Sequence, residues 1–169
     1  MKRKSIIAAA VIAIVAAVLF VPSQTRLTVR HDGRLIFTES IASGSTFSIR
    51  YNHSVNRSPV VDTVEYTPNG EKPLTVRTSL YQTFGAGIPV AEDGGTLTAT
   101  EDGLLLSGID TTYDKIDLMT GTYADHHLIT QSGEHQLKAL CGEQKHVVIR
   151  VGRVSPADIL FCYLTVSAY

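Results

Sequence analysis

One stretch of the sequence, residues 51–62, brings together most of the side chain types that do chemistry. It reads YNHSVNRSPVVD, so an imidazole, a hydroxyl, a guanidinium and a carboxylate follow one another closely. The stretch runs from a strand end into a polar connection closed by proline, and loops that project from a sheet are where binding groups usually lie. We interpret it as a binding loop; the alternative is that its polar residues only build the turn while Tyr51 and His53 fill the core edge. The candidate residues are Tyr51, His53, Ser54, Arg57 and Asp62.

A second candidate is the glycine pair Gly85 and Gly87, in the sequence FGAGIP directly after a predicted strand. Glycines in this pattern let successive backbone N–H groups turn toward an anion or allow another loop to approach closely. The pattern lacks the third glycine and the following helix of a dinucleotide fingerprint, so we reject a nucleotide site. The alternative is a tight bend at a corner of a sheet.

A third candidate is the adjacent pair His126 and His127. Neighbouring residues on an extended backbone point to opposite sides, so only one of the two could share a site with His53. With His53 and Asp62 that histidine would bind zinc only if the fold brought the three together, and no metal-ligand spacing occurs in the chain. We therefore expect neither a metal nor a cofactor.

An enzymatic alternative uses Ser54 as a nucleophile, His126 or His127 as its base, and Asp62 or Asp125 to orient that base. The chain has no Gly-x-Ser-x-Gly elbow to support it. Its carboxylates are scattered singly among turns, which also argues against glycoside chemistry. A binding or interaction module is therefore favoured over an enzyme, and an extracytoplasmic hydrolase and a purely structural envelope protein remain the alternatives.

The N-terminus predicts export. Residues 6–21 contain no charged or polar side chain and follow Lys2, Arg3 and Lys4. This pattern is typical of a secretory signal or a short membrane anchor whose cations stay in the cytoplasm. Crossing a bilayer takes roughly 17 to 25 residues, so the run lies at the boundary between the two, and we favour an uncleaved anchor. We expect residues 1–23 to be this segment and residues 24–169 to be one extracytoplasmic domain.

Charge and cysteine content limit the function classes. The whole chain has 15 Lys and Arg against 16 Asp and Glu, and three of those cations precede the apolar run. The remaining acidic body is a poor polyanion binder, which excludes nucleic acid as a primary partner. Cys141 and Cys162 either close one disulfide in an oxidising compartment or remain apart, with Cys162 as a small buried apolar residue.

Strand composition and turn signals predict an all-β fold. His31-Asp32-Gly33, Asn69-Gly70 and Asp102-Gly103 each place glycine where a tight hairpin needs it. About nine or ten short strands at this spacing predict a single β-sandwich or a partly closed barrel, preceded by the N-terminal hydrophobic helix. One short helix is predicted over 133–141. The predicted strands are 27–30, 35–39, 47–54, 60–67, 74–84, 96–100, 104–109, 113–118, 146–151 and 159–166.

Taken in order, these motifs resemble the family catalogued as domain of unknown function 1850. The resemblance implies a small exported bacterial or archaeal protein, often encoded beside tripartite ATP-independent periplasmic (TRAP) transporters of the TAXI subclass. It implies an accessory subunit and carries no catalytic assignment. Asn56 departs from the family, whose members often have an acid there. The residues that carry the resemblance are Tyr51, His53, Ser54, Val55, Pro59, Val60, Asp62, the 84–89 motif, Gly121, Ala124, the histidine pair and Leu128.

The motifs and the implied role together predict one recognition edge. We expect the connection from His53 to Pro59 and the bend from Gly85 to Pro89 to lie side by side. Arg57 and Arg77 would add positive charge there, favouring a small carboxylate or a carboxylate of the partner. The expected partner is a TRAP transporter membrane subunit or solute-binding subunit.

Overall fold

The computed structural model describes residues 2–68, 70–83 and 95–166. The predicted N-terminal helix is present, and the body is mostly strand, as expected. The elements, in chain order, are α1 (Lys2–Phe20), β1 (Gln24–His31), β2 (Arg34–Ser40), β3 (Thr46–Asn52), β4 (Pro59–Tyr66), β5 (Leu74–Tyr81), β6 (Thr96–Thr100), β7 (Gly103–Tyr113), β8 (Ile116–Met119), β9 (His127–Thr130), β10 (Gly133–Gln136), α2 (Leu137–Cys141), β11 (His146–Val154) and α3 (Pro156–Val166).

The strands form two antiparallel sheets. One has four strands in the order β2-β1-β11-β8, and the other has seven in the order β10-β9-β3-β4-β5-β7-β6. All three predicted strand pairings are confirmed, because β1 pairs with β2, β4 with β5, and β6 with β7. The tight turn predicted at Asn69-Gly70 includes Asn69, which lies outside the described residues. The described strands do not close into a barrel, since each sheet ends in two unpaired edge strands.

Alternation along the strands places one apolar core between the sheets. Successive strand residues point to opposite faces, so one set of alternating side chains in each strand can be buried together. The main core cluster takes Leu27 and Ile149 from the four-stranded sheet and Phe47, Val64 and Leu128 from the seven-stranded sheet. A second cluster joins β4, β5 and β7 through Val60, Tyr81, Leu104 and Leu106.

The strand predicted over 159–166 is wrong, because this segment lies in α3. The Ser155 hydroxyl accepts a hydrogen bond of 3.1 Å from the Asp158 N–H, and Pro156 occupies the first helical position. Both features favour a helix start. Ile159 and Cys162, three residues apart, pack toward β2 and β11, as one face of a helix requires. A short continuous apolar run does not by itself distinguish a helix from a strand.

Two further predicted elements are divided in the structure. The strand predicted over 113–118 is interrupted, since β7 ends at Tyr113 and β8 begins at Ile116 in the other sheet. The helix predicted over 133–141 is shorter, because residues 133–136 form β10 against β9 and only Leu137–Cys141 is helical. Strands β9 and β10 were not predicted from the sequence.

The two cysteines are free thiols. The Cys141 thiol donates a hydrogen bond of 3.3 Å to the Leu137 carbonyl within α2. Cys162, on the inward face of α3, is buried against Leu35 and Val154. The disulfide considered from the sequence is therefore not formed, and Cys162 has the alternative role of a small buried residue.

Helix α1 carries exposed apolar side chains, among them Ile12 at 69% and Phe20 at 68% exposure, and it contacts α3. None of the helices in the described part of the chain combines the length and the apolar character that crossing a membrane requires.

Candidate functional site

The centre of the candidate site is a carboxylate on the core-facing side of the seven-stranded sheet. In β4, Asp62 lies directly opposite Ile49 of β3 and Ser79 of β5. Residues directly opposite on neighbouring strands share a face, so Asp62 and Ser79 are on the buried side with Ile49. The Ser79 hydroxyl donates a hydrogen bond of 2.5 Å to Asp62 Oδ1, and the Tyr51 hydroxyl donates a second hydrogen bond to the same carboxylate.

Burial controls the protonation of this group. Desolvation raises the pKa of Asp62, and the hydrogen bonds from Ser79 and Tyr51 lower it only in part. Desolvation and the neighbouring Asp62 charge also raise the pKa of Tyr51, so its phenol keeps the proton that it donates. The three side chains form a fixed polar unit inside an otherwise apolar layer, which is costly unless every member is paired.

His126 joins this unit by stacking on Tyr51. The two rings have centroids 5.7 Å apart and are tilted by 30°. Burial lowers the pKa of His126, which favours the neutral imidazole. Its Nδ1 atom is buried and has no hydrogen-bond partner among residues 2–68, 70–83 and 95–166.

His127 lies on the opposite side of the sheet from His126. It is directly across from Arg50 of β3, and Arg50 donates a hydrogen bond to Glu134. Its Nδ1 lies 2.8 Å from the Glu134 carboxylate, and its Nε2 lies 3.3 Å from Asp125. The divergence expected for adjacent histidines is therefore observed, and His127 belongs to an ion cluster on the outer face.

Asp125 fixes the turn that precedes β9. It accepts hydrogen bonds of 3.0 Å from Lys138 Nζ and 2.8 Å from Gln136. The Lys138 interaction, with smaller contributions from Gln136 and His127, lowers the pKa of Asp125 to about 2. Its backbone has a φ of 45°, in the left-handed region, and its N–H donates to the Gly121 carbonyl at 3.1 Å. The turn 121–125 is thus held by both main-chain and side-chain contacts.

His53 organises the polar connection after β3. Its Nδ1 accepts hydrogen bonds of 3.3 Å from the N–H groups of Val55 and Asn56, so its ring proton lies on Nε2. The His53 N–H donates to the Ser58 carbonyl at 2.9 Å, and the Arg57 N–H donates to the His53 carbonyl at 3.0 Å. Arg57 has a φ of 55°, which an arginine adopts only where surrounding contacts enforce it. The His53 side chain therefore has a structural role in the turn.

The connection after β3 and the turn 121–125 lie side by side. The Asn52 N–H donates to the Ala124 carbonyl at 2.7 Å, and the Asn52 side-chain amide donates to the Tyr123 carbonyl at 3.2 Å. The Arg57 guanidinium lies over the Tyr123 ring, with Cζ 5.9 Å from the centroid. Exposed side chains from both segments form what we call the two-loop surface. Its members are Val55 at 64% exposure, Tyr123 at 46% exposure, and the exposed Arg57.

The other predicted site residues are placed differently. Ser54 is exposed, and within the described residues its hydroxyl makes no hydrogen bond to a histidine. Arg77 sits at a bulge in β5, where it bonds Glu65 at 2.6 Å and also pairs with Asp110. It is four residues from Tyr81 along β5, about 13 Å from the end of the sheet that carries the two-loop surface. Gly85 and Gly87, and with them the expected bend, lie outside the described residues.

Two residues of the site, Ser79 and Tyr123, were not predicted from the sequence. Ser79 follows the alternation set by Tyr81 in β5, and this pattern was a usable signal for an inward-facing hydroxyl. Tyr123 lies within the histidine-containing cluster of residues 121–128, and its ring beside the predicted loop could be found only from the strand pairing. Among the described residues, no three His, Cys, Asp or Glu side chains are arranged to hold a metal ion.

Comparison with known proteins connects these residues to one family. Curated protein sequences and solved structures give no match to the chain. A family sequence model matches residues 47–137, more than half of the chain, and this range contains the polar unit and both segments of the two-loop surface. The chain belongs to the family described as domain of unknown function (DUF1850).

Proposed function

We propose that the chain is an accessory module of an extracytoplasmic solute uptake system, and that it binds a protein subunit of that system through the two-loop surface. The observation that carries this proposal is the juxtaposition of exposed Val55, Arg57 and Tyr123 on two loops that are pinned to each other. In this proposal the two sheets form a β-sandwich that serves as the rigid support for these loops.

The composition of the two-loop surface suits protein recognition. Tyr and Arg are enriched among residues that dominate interface energies, and an aliphatic neighbour adds apolar area. The Arg57 guanidinium offers two parallel N–H donors to a carboxylate of the partner, which a lysine would not. Its stacking on Tyr123 limits its rotamers before binding, so less conformational entropy is lost in the complex.

The polar unit supports the surface from below. Tyr51 and Asn52 are consecutive in β3, so one strand end joins the buried carboxylate to the contacts with the turn 121–125. In this proposal the hydrogen bonds of the polar unit fix the strand ends from which both loops project. We assign Asp62, Ser79 and His126 to this supporting role, and Ser54 has no contact in the described residues that favours the hydrolase alternative.

Membrane attachment is the second part of the proposal. The apolar run of residues 6–21 after three cations supports an N-terminal segment, residues 1–23, that holds residues 24–169 on the extracytoplasmic side. The family resemblance supports a TRAP transporter of the TAXI subclass as the system served. The permease and the solute-binding subunit of such a transporter are the candidate partners.

Site-specific photo-crosslinking tests the protein contact. A crosslinking amino acid at Tyr123 of the full chain, co-expressed with a TAXI-type permease and solute-binding subunit, should give an adduct with one of the two. The matched control is Tyr113, a tyrosine of similar exposure, 41% against 46%, at the end of β7. Equal adduct yields from both positions, or none from Tyr123, would contradict the proposed surface.

A further inference from the structure

The C-terminal helix α3 carries an exposed apolar face with no charged side chain. Four large side chains on it are more than half exposed, and the single charged residue of α3, Asp158, is bonded to Ser155 in the first turn at 2.8 Å. The inward face holds Ile159 and Cys162 against the four-stranded sheet. The exposed side chains are Leu160 at 60%, Phe161 at 59%, Tyr163 at 55% and Leu164 at 66%.

A second exposed apolar surface lies on α1, which packs beside α3. The two helices contact each other, and the α1 residues Val18 and Phe20 are 65% and 68% exposed. An apolar surface of this extent on one side of a protein marks a membrane or protein contact. The surface combines an N-terminal and a C-terminal helix on the same side of the molecule.

Two arginines contact aromatic side chains of the α3 face. Arg34 is exposed, and its Cζ lies 5.8 Å from the centre of the Phe161 ring. Arg26 donates a hydrogen bond of 3.4 Å to the Tyr163 hydroxyl. Arg26 is itself buried, with its guanidinium also bonded to Thr38 and Ser40, and Arg30 is partly buried. An aromatic ring beside a cation at the edge of an apolar surface is the arrangement found at bilayer interfaces.

The two sheets also differ in charge, and the four-stranded sheet, on which α3 packs, is the positive one. The strands of the four-stranded sheet carry five arginines and two carboxylates. Those of the seven-stranded sheet carry two arginines and four carboxylates. The positive side is therefore the side on which α3 packs, and it is complementary to an anionic lipid surface.

We infer that the exposed face of α3, with the exposed Arg34 at its edge, lies on an anionic lipid bilayer beside α1. Leu160, Phe161 and Leu164 enter the boundary between headgroups and acyl chains, while the Arg34 guanidinium meets lipid phosphates. The inference rests on the proposed membrane attachment through α1 and adds a second contact to it. This contact would orient the domain, with the four-stranded sheet toward the membrane.

A single tryptophan tests this contact, because the chain has none of its own. In the full chain with Phe161→Trp, vesicles containing phosphatidylglycerol should shift the tryptophan emission to the blue. Vesicles with brominated acyl chains should quench most of this emission. The control Val55→Trp, at a position 64% exposed on the two-loop surface, should keep its emission. Leu164→Trp is a second probe should Phe161→Trp alter the melting temperature.

Vesicle flotation separates the two membrane contacts. A Phe161→Trp or Leu164→Trp chain that floats with the vesicles while its introduced indole stays unquenched would overturn the α3 contact and leave attachment through α1 intact. A chain that does not float would overturn both. Arg34→Gln should weaken binding to phosphatidylglycerol vesicles more than to phosphatidylcholine vesicles, and an equal effect on both would refute the role of Arg34.

Discussion

The Ser79 hydroxyl donates a hydrogen bond of 2.5 Å to the Asp62 carboxylate on the buried face of the seven-stranded sheet. The two residues are directly opposite each other on β4 and β5. A hydrogen bond to a charged, partly buried acceptor contributes more to stability than a typical one. This pair therefore links β5 to β4, the strand that follows the first segment of the two-loop surface.

Removal of the Ser79 hydroxyl should destabilise the domain. Ser79→Ala leaves Asp62 with one donor fewer, and we expect the free energy of unfolding in urea at pH 7 to fall by about 1 to 3 kcal/mol. Ser107→Ala is the control, since its hydroxyl bonds the Thr96 carbonyl at 3.3 Å near the sheet surface. Its effect should stay within about 0.5 kcal/mol, and equal losses from both changes would contradict a special role for Asp62.

Asp62 should make stability fall with rising pH. Burial raises the pKa of Asp62 in the folded protein, so the folded state holds this proton more tightly than the unfolded state does. Stability from this group is full below the ordinary aspartate pKa and declines as pH rises toward the folded value. Asp62→Asn should abolish this contribution, so the variant should gain relative to wild type as pH increases. Urea unfolding of both proteins, from pH values below the ordinary aspartate pKa to neutral pH, measures this difference. Parallel plots of unfolding free energy against pH would refute the prediction.

Asp125 should have the opposite effect on the pH dependence of stability, which it should make rise with pH. Its folded pKa is about 2, below the ordinary value of 3.8, because Lys138 bonds the ionised form. The resulting stability is present above pH 3.8 and is lost as pH falls toward 2. Wild type should therefore exceed Asp125→Asn in stability at neutral pH, and the gap should narrow in acid. A constant gap in acid titrations followed by circular dichroism would contradict the assignment.

Two glycines with similar backbones should respond differently to alanine. Gly103 has a φ of 134°, and a Cβ there would lie 2.2 Å from the Tyr81 carbonyl oxygen. Gly133 has a φ of 130° with nothing within 4 Å of that position. Gly133→Ala should cost about 1 to 2 kcal/mol from backbone strain alone. Gly103→Ala should lose a further 1 to 3 kcal/mol or so by separating β5 from β7, as thermal unfolding would show. Similar losses would exclude the steric explanation.

Arg57→Gly should separate folding from partner binding. Glycine accepts the φ of 55° that Arg57 adopts, so the free energy of unfolding should change by less than about 1 kcal/mol. The same change removes the guanidinium of the two-loop surface and should weaken subunit binding about tenfold or more. Binding of the purified solute-binding subunit or permease measures this.

Arg77→Gln is the matched control for Arg57→Gly, because Arg77 is already paired with Glu65 and Asp110. Its partner affinity should match that of wild type. Loss of binding in the Arg77 variant alone would place the contact on β5 instead.

The sequence predicted the elements whose signals are local. A glycine in each tight turn indicates a hairpin, and β1–β2, β4–β5 and β6–β7 formed as expected. The C-terminal helix was missed, since residues 159–166 form an apolar run that suits either state, although Ser155 and Pro156 before it are helix-start signals. The bulge at Arg77, which turns both Val76 and Ser79 toward the core, has no sequence pattern that distinguishes it from regular alternation.

The sequence by itself determined the mostly strand character of the body, the family, and the opposed directions of His126 and His127. Each of these follows from turn residues, from the order of motifs, or from the two-residue period of a strand, and all three signals are carried by a few neighbouring residues. Only the tertiary structure decided that Tyr123 meets Arg57, that His126 stacks on Tyr51, and that Arg77 is neutralised away from them. The contacts of Tyr123 and His126 depend on β9 pairing with β3 across more than 70 residues, and that pairing is selected by burial of the shared core, a property of the whole chain.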